Sequence, residues 1–364
     1  MDTQEKYLEN FKYNQSGGNI VWTPRENNRL WTSIASSADG SKLVALAWSD
    51  YIYTSTDSGE NWTARMTDED RKWFSVASSA KGNKLVALVY NGYIYTSIDY
   101  GKNWTPRMVD TGRQWSSVAS SDDGNKLVAV VNDGQIYTSI DSGENWEVHE
   151  TDRLWMSVAS SDDGKKLVAV VGSGQIYTST DYGVSWTARM VDTSHLWMSV
   201  ASSANGNKLV AVASSANGNK LDDVVSTDQI YTSIDSGVSW IPRETNRLWS
   251  SVTSSVDGTK LVATVFEGPI YTSVDSGETW TPHVPNKKWA YIKSSADGNK
   301  LVATDNDKIY TANITPPAPK LPVEPPLLSI SIMPSLINNK QFGGYKEKYL
   351  KYKQKYLQLK NDFK

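Results

Sequence analysis

The 364-residue chain contains no cysteine, which excludes disulfides and thiol chemistry and suits a reducing compartment. It has three histidines, His149, His195 and His283, too few and too separated for a metal or nucleophile site. No run approaches the roughly 18 apolar residues of a membrane span. The start, Met1 to Asn10, is charged and lacks the apolar stretch of a signal peptide. A formal net charge of −3 offers no whole-chain attraction to nucleic acid or membrane. No glycine loop of the phosphate-binding kind is present, and no cofactor is expected. A soluble cytoplasmic protein follows from these absences. Phenylalanine is scarce too, at five against 15 tryptophans and 19 tyrosines.

A repeat explains the aromatic excess. The stretch Ile52-Tyr-Thr-Ser-Thr-Asp-Ser-Gly-Glu-Asn-Trp62 has the skeleton SxDxGxxW, with its aspartate at Asp57. It returns around Asp99, Asp141, Asp181, Asp235 and Asp275, and a worn seventh copy runs through Ile309-Tyr-Thr-Ala312. The β-branched and aromatic lead-in suits a pleated strand. Aspartate can accept hydrogen bonds from backbone N–H groups one or two residues ahead, and glycine takes the positive φ of a tight turn. The tryptophan opens the next strand and can fold under the turn as an apolar plug. Turn chemistry accounts for these six aspartates, which makes them structural.

The motif resembles the Asp-box, or bacterial neuraminidase repeat, of sialidases, sortilin-type receptors, some glycanases and photosystem II assembly factors, over residues 16 to 314. The resemblance implies a β-propeller with the boxes on the outer blade edges, away from any ligand site. A sialidase-like site would also need an arginine triad and a tyrosine with an acidic partner. The arginines here recur with the repeat, as Arg25, Arg65, Arg107, Arg189 and Arg243 and as Arg29, Arg153 and Arg247, which suggests blade-edge ion pairing.

Each unit reads as four short β-rich runs separated by turns, with a period near 42. Fourteen of the 15 tryptophans fall in two slots. A post-turn slot holds Trp22, Trp62, Trp104, Trp146, Trp186, Trp240 and Trp280, and a pre-strand slot holds Trp31, Trp73, Trp115, Trp155, Trp197, Trp249 and Trp289. Seven in each implies an all-β, seven-bladed β-propeller of four-stranded blades. The last unit lacks a final strand and the first has a spare one at Ile20 to Pro24, so the N-terminal strand should close the ring. Box spacing runs 42, 42, 40, 54 and 40, and the 54 contains a 12-residue tandem duplication, Val200 to Leu209 repeated verbatim at Val212 to Leu221. Either copy could pair in the sheet.

The remaining segments differ in composition. Residues 1–15 form an N-terminal polar segment, and 315–344 a linker carrying Pro316, Pro317, Pro319, Pro322, Pro325 and Pro326. Residues 345–364 place Tyr345, Tyr349, Tyr352, Tyr356, Leu359 and Phe363 on a heptad seam, a basic amphipathic C-terminal helix. Residues 340–364 carry eight lysines against Glu347 and Asp362, so this end is +6 and the remainder −9. The tail resembles C-terminal tails of giant DNA virus proteins, which implies a viral protein in a host-cell cytoplasm or virion. Such a helix could self-associate or contact an anionic surface.

A comparison among the repeats locates a candidate face. The turns on one side hardly vary, whereas the loops between second and third strands differ in every blade. Loops concentrate function. Trp48 is the one tryptophan outside the two slots, and Tyr51, Tyr90 and Tyr93 lie at matching positions in blades 1 and 2. Rimmed by Arg29, Arg71 and Lys72, this patch would suit a protein or glycan partner. The same rings could instead pack between blades. A glycosidase needs two carboxylates about 5 to 9.5 Å apart, and Glu69, Asp110, Glu150, Asp192 and Glu244 are scattered over blade connections with no unique pair. The expectation is a non-catalytic binding scaffold, with a glycan-binding or glycoside-hydrolase-like propeller as the alternative. No specific nucleic acid is expected.

Overall fold

The structure, a computed structural model, describes residues 19–26, 29–191, 195–213, 229–244, 247–305 and 307–315. The N-terminal polar segment at 1–15, the proline-rich linker from Pro316 onward and the C-terminal helix lie outside them.

The described residues form a seven-bladed β-propeller. Blade 1 is the meander Trp31–Ser36, Leu43–Asp50, Ile52–Ser55 and Thr63–Arg65, all antiparallel. Its second strand, Leu-Val-Ala-Leu-Ala, is buried on both faces, because blades stack on either side of it. Blades 2 to 6 repeat the pattern. In blades 3 and 6 the second and third strands run on as single bent strands, Leu127–Ser139 and Leu261–Ser273. Each core cluster belongs to two blades: Ala35, Val44, Leu46 and Ile52 of blade 1 pack with Trp73, Val76, Leu85, Ala87 and Tyr95 of blade 2. All seven pre-strand tryptophans are buried to 1% exposure or less. Each meets the tyrosine of its own blade edge-on, with ring centroids 5.1 to 5.3 Å apart.

Closure follows the expected route. Asn19–Ile20 pairs with Ile314 and Thr315, and Thr23–Pro24 with Tyr310 and Thr311, on the outer edge of Ile309–Thr315 in blade 7. The strand is broken between these pairs, and Trp22 there turns in to lie 5.1 Å from Trp289. A second closure lies in the turns between first and second strands. The N–H of Ala38 donates to the carbonyl of Ala80, Ala80 to Asp122, Asp122 to Asp162, Asp162 to Ala204, Ala204 to Val256, Val256 to Ala296, and Ala296 back to Ala38, each at 2.7 or 2.8 Å. These seven bonds make a closed backbone ring on the face that also carries the Asp-boxes.

The box geometry departs from expectation in one respect. In blade 3, Asp141 Oδ1 accepts the N–H of Asn145, four residues ahead, at 2.9 Å, and Oδ2 accepts Asn145 Nδ2 at 2.7 Å. Ser139 Oγ donates to Asp141 and accepts the Gly143 N–H at 2.9 Å. The serine therefore spans the near N–H groups, and the aspartate reaches the far side of the turn. Trp146 Nε1 donates to the Gly143 carbonyl at 3.0 Å, placing the ring under the turn. Asp57, Asp99, Asp181, Asp235 and Asp275 repeat the arrangement. These bonds hold the carboxylates below the usual aspartate range, at about 2 for Asp57.

In blade 5 the first duplicate builds the sheet. Trp197–Ser202 pairs with Leu209–Ala213, Val200 opposite Ala211, and the third strand follows at Ile230–Ser233. Residues 214–221 of the second duplicate lie outside the described residues.

Candidate binding face

The loops between second and third strands turn back through a residue in the left-handed region: Ser49, Asn91, Asp133, Ser173 and Glu267 have φ from 52° to 57°. In blades 1 and 2 the turn sends the aromatics before and after it to different places. Tyr51 packs against the core cluster of Trp31, Leu43 and Tyr53, and Tyr93 against that of Trp73 and Tyr95. These two rings fill space between blades and drop out of the candidate patch. Trp48 and Tyr90, equally half-buried, are instead carried onto the next blade, because Leu43–Asp50 and Leu85–Gly92 run past their own blades to pair with it. Trp48 lies opposite Lys72, and Tyr90 opposite Gln114.

There Trp48 and Tyr90 meet a third ring. Trp48 and Tyr90 are 5.6 Å apart, Trp48 and Phe74 6.2 Å, and Phe74 and Tyr90 5.8 Å, with all three half-buried. Lys72 Nζ lies 5.9 Å from the Trp48 ring. Phe74 was not picked out from the sequence, yet a signal existed. The corresponding residue in the other blades is Thr32, Ser116, Met156, Met198, Ser250 or Ala290, so Phe74 is the sole aromatic there.

The arginine rim is not part of this cluster. Arg29 pairs with Glu26 and Asp50 and lies 4.4 Å over the Tyr53 ring. Arg71 pairs with Asp68 and Glu69 and lies over Tyr95. Arg113, Arg153, Arg247 and Lys287 do the same over their own blades' tyrosines. In blade 5 His195 takes the slot, 5.1 Å from Tyr231. These cations belong to the repeat. Their pairing uses Glu69, Asp110, Glu150 and Glu244 of the scattered carboxylates; Asp192 lies outside the described residues. The other arginine set makes no ion pair among the described residues. Arg25, Arg65, Arg107, Arg189 and Arg243 donate Nε to a threonine hydroxyl on the neighbouring strand at 2.8 to 3.0 Å. His149 and His283 stand in that slot, with Nε2 against Thr138 and Thr272. All three histidines are thus repeat positions.

Seven blades and their SxDxGxxW turns make the described residues a β-propeller whose turns carry the Asp-box pattern. The BNR-Asp box repeat family matches residues 94–106, while no curated protein matches. Among solved structures the chain is similar to YCF48 bound to D1 peptide, with 16% identity and a TM-score of 0.63 over 82% of this chain and 97% of that one. It is also similar to a streptogramin B lyase, at 14% identity and 0.65 over 82% and 98%. The GH74 xyloglucanase from Xanthomonas campestris gives 14% and 0.65 over 83% of this chain, which spans 55% of that enzyme. At these identities the likeness is one of fold.

Proposed function

We propose that the protein is a non-catalytic binding scaffold whose partner is a protein segment docking on the variable-loop face. The observation that carries this reading is the Trp48–Phe74–Tyr90 cluster. Three half-buried rings meet, Phe74 at a position that no other blade fills with an aromatic, and Trp48 and Tyr90 at one where Phe266 of blade 6 is the further aromatic. A half-buried aromatic group beside one lysine has the make-up of a binding anchor. A solved propeller of similar fold, YCF48, is bound to a peptide, which supports a protein segment as the partner.

The test compares the full chain, the chain cut after Thr315 and a Trp48→Ala/Tyr90→Ala variant for capture of a defined partner from host lysate, with a glycan array in parallel. Loss in the double variant alone supports the reading and locates the face. Loss only on truncation assigns binding to the tail, and glycan binding without a protein partner replaces the scaffold with a lectin-like role.

A further inference from the structure

The seam between blades 7 and 1, where the ring closes, is built differently from its counterparts. Between blades 1 and 2, 2 and 3, 3 and 4, and 4 and 5, the space beside the next blade's Asp-box turn is closed down to about 10 Å³. A lysine of the earlier blade does this. Lys84 and Lys166 Nζ reach Ser142 and Ser236 of the next box at 3.1 Å, while Lys42 and Lys126 lie 5.7 and 5.4 Å from the rings of Tyr100 and Tyr182. At the closing seam Lys300 Nζ donates instead to the Asp39 carbonyl at 2.9 Å. Ser58, in the place of those serines and tyrosines, makes no side-chain hydrogen bond among the described residues. Blade 7 also has no box of its own: Ala312 stands where the other blades carry the box serine, with the N-terminal strand alongside. A cavity of about 420 Å³ is left there, within the roughly 300–1,000 Å³ of small-molecule sites.

The two sides of this cavity carry opposite charges. The closing strand and blade 7 contribute Arg25 and Lys300, and blade 1 contributes Asp57 and Glu60. Among the described residues no ion pair joins them, whereas Arg29, Arg71, Arg113, Arg153 and Arg247 each hold a carboxylate. Arg25 Nε is fixed by Thr311 Oγ1 at 2.8 Å, which leaves the terminal nitrogens of the guanidinium without a partner among the described residues. Asp57 is taken up by Asn61 in its own turn, but Glu60 is exposed and its carboxylate accepts nothing among the described residues. Leu43, Leu301, Val302 and Ala312, all buried, give the lining an apolar part. A lone anion would meet two carboxylates here, and a lone cation would meet an arginine and a lysine. A molecule with one charge of each sign is complementary to both sides.

We propose that the closing seam is a binding site for a small apolar zwitterion, a free amino acid or a dipeptide. Its carboxylate accepts from the Arg25 guanidinium, a fork suited to that group, and its ammonium donates to Glu60. The aliphatic side chain lies against the apolar part of the lining. Such a ligand touches the N-terminal strand, blade 7 and blade 1 together, so binding fastens the ring where it closes. The inference does not rest on the aromatic cluster or on its partner.

The test is isothermal titration calorimetry of the full chain at pH 7 with L-leucine and with L-leucyl-L-leucine. N-acetyl-L-leucine and L-leucinamide, which each keep one charge, serve as comparisons and should bind at least tenfold more weakly. Glu60→Gln should weaken the zwitterion at least tenfold and leave N-acetyl-L-leucine unchanged. Ser58→Tyr installs the residue of blades 2 and 4, where Tyr100 and Tyr182 have φ 65° and 64° against 60° for Ser58, so the variant should fold. Its ring fills the cavity over Lys300 and should abolish binding. Ser142→Tyr, the same change in blade 3, should bind as wild type does. Binding of leucine identifies a free amino acid, and binding of leucyl-leucine alone identifies a dipeptide. Binding of neither, equal binding of N-acetyl-L-leucine, or unchanged binding by Ser58→Tyr overturns the proposal.

Discussion

Replacing Gly143 by alanine tests the account of the Asp-box turn. Gly143 sits at φ 86°, and a Cβ there would stand 2.8 Å from Thr96 Cγ2 of the preceding blade, 3.2 Å from Leu127 Cδ1 and 3.5 Å from Trp146 Cζ2. Left-handed backbone costs an L-residue about 1–2 kcal/mol. The neighbouring Ser142 already carries a side chain at φ 63°, so backbone strain alone does not forbid one in this turn. Overpacking against Thr96 adds about 1–3 kcal/mol, for a total of about 2–5 kcal/mol. Urea unfolding followed by tryptophan fluorescence measures it. Hydrogen exchange across blade 3 guards against a transition of more than one step. Thr96→Ser removes the offending methyl and keeps the hydroxyl that accepts from Arg107 Nε at 2.9 Å. In a double-mutant cycle it should recover the overpacking part, about 1–3 kcal/mol, and leave the backbone cost. A Gly143→Ala variant within about 0.5 kcal/mol of wild type, or no recovery by Thr96→Ser, refutes the reasoning.

Other expectations concern pH and closure. Burial and the neighbouring Asp122 raise Asp162 to about 6. The native state therefore holds a proton that the unfolded chain has released, and stability falls as pH rises from about 4 to about 6. Asp162→Ala, the residue of blades 1, 2, 5 and 7, should raise the melting temperature at pH 7 and change it little at pH 4. The box aspartates act in the opposite sense. With Asp57 and Asp235 held at about 2, their contribution is present above pH 4 and lost as pH falls towards 2. Melting curves of Asp57→Ala and wild type should converge at the acid end. Removing residues 1–24 strips the outer strand from blade 7 and exposes an unpaired edge. That truncation should melt lower and aggregate at concentrations where the full chain stays monodisperse by light scattering.

The repeat itself was legible because each blade solves the same local problem. A turn needing Ser, Asp, Gly and Trp at fixed offsets writes those residues into the chain every time, so blade number and the closing N-terminal strand could be counted from Trp22, Trp31 and their equivalents. Positions that depart from the repeat were legible only in part. Trp48 was conspicuous as a residue, but nothing local separates it from Tyr51, three positions on. A left-handed residue at Ser49 and the pairing of Trp48 with Lys72 carry one onto the rings of blade 2 and leave the other on the core cluster of Trp31 and Tyr53.

The sequence by itself determined what short-range chemistry dictates: the strands, the box turns, the seven-fold count and the route of closure. The tertiary structure decided what depends on several blades at once. It assigned one arginine set to carboxylates and tyrosine rings and the other to threonine hydroxyls, and it chose the first duplicate for blade 5. It also brought Phe74 against Trp48 and Tyr90 and linked the seven turns through Ala38 and Asp162 into a ring. The reason is geometric. Residues about 40 positions apart become neighbours only when the blades stack around a common axis, and no local pattern encodes which of their side chains then meet.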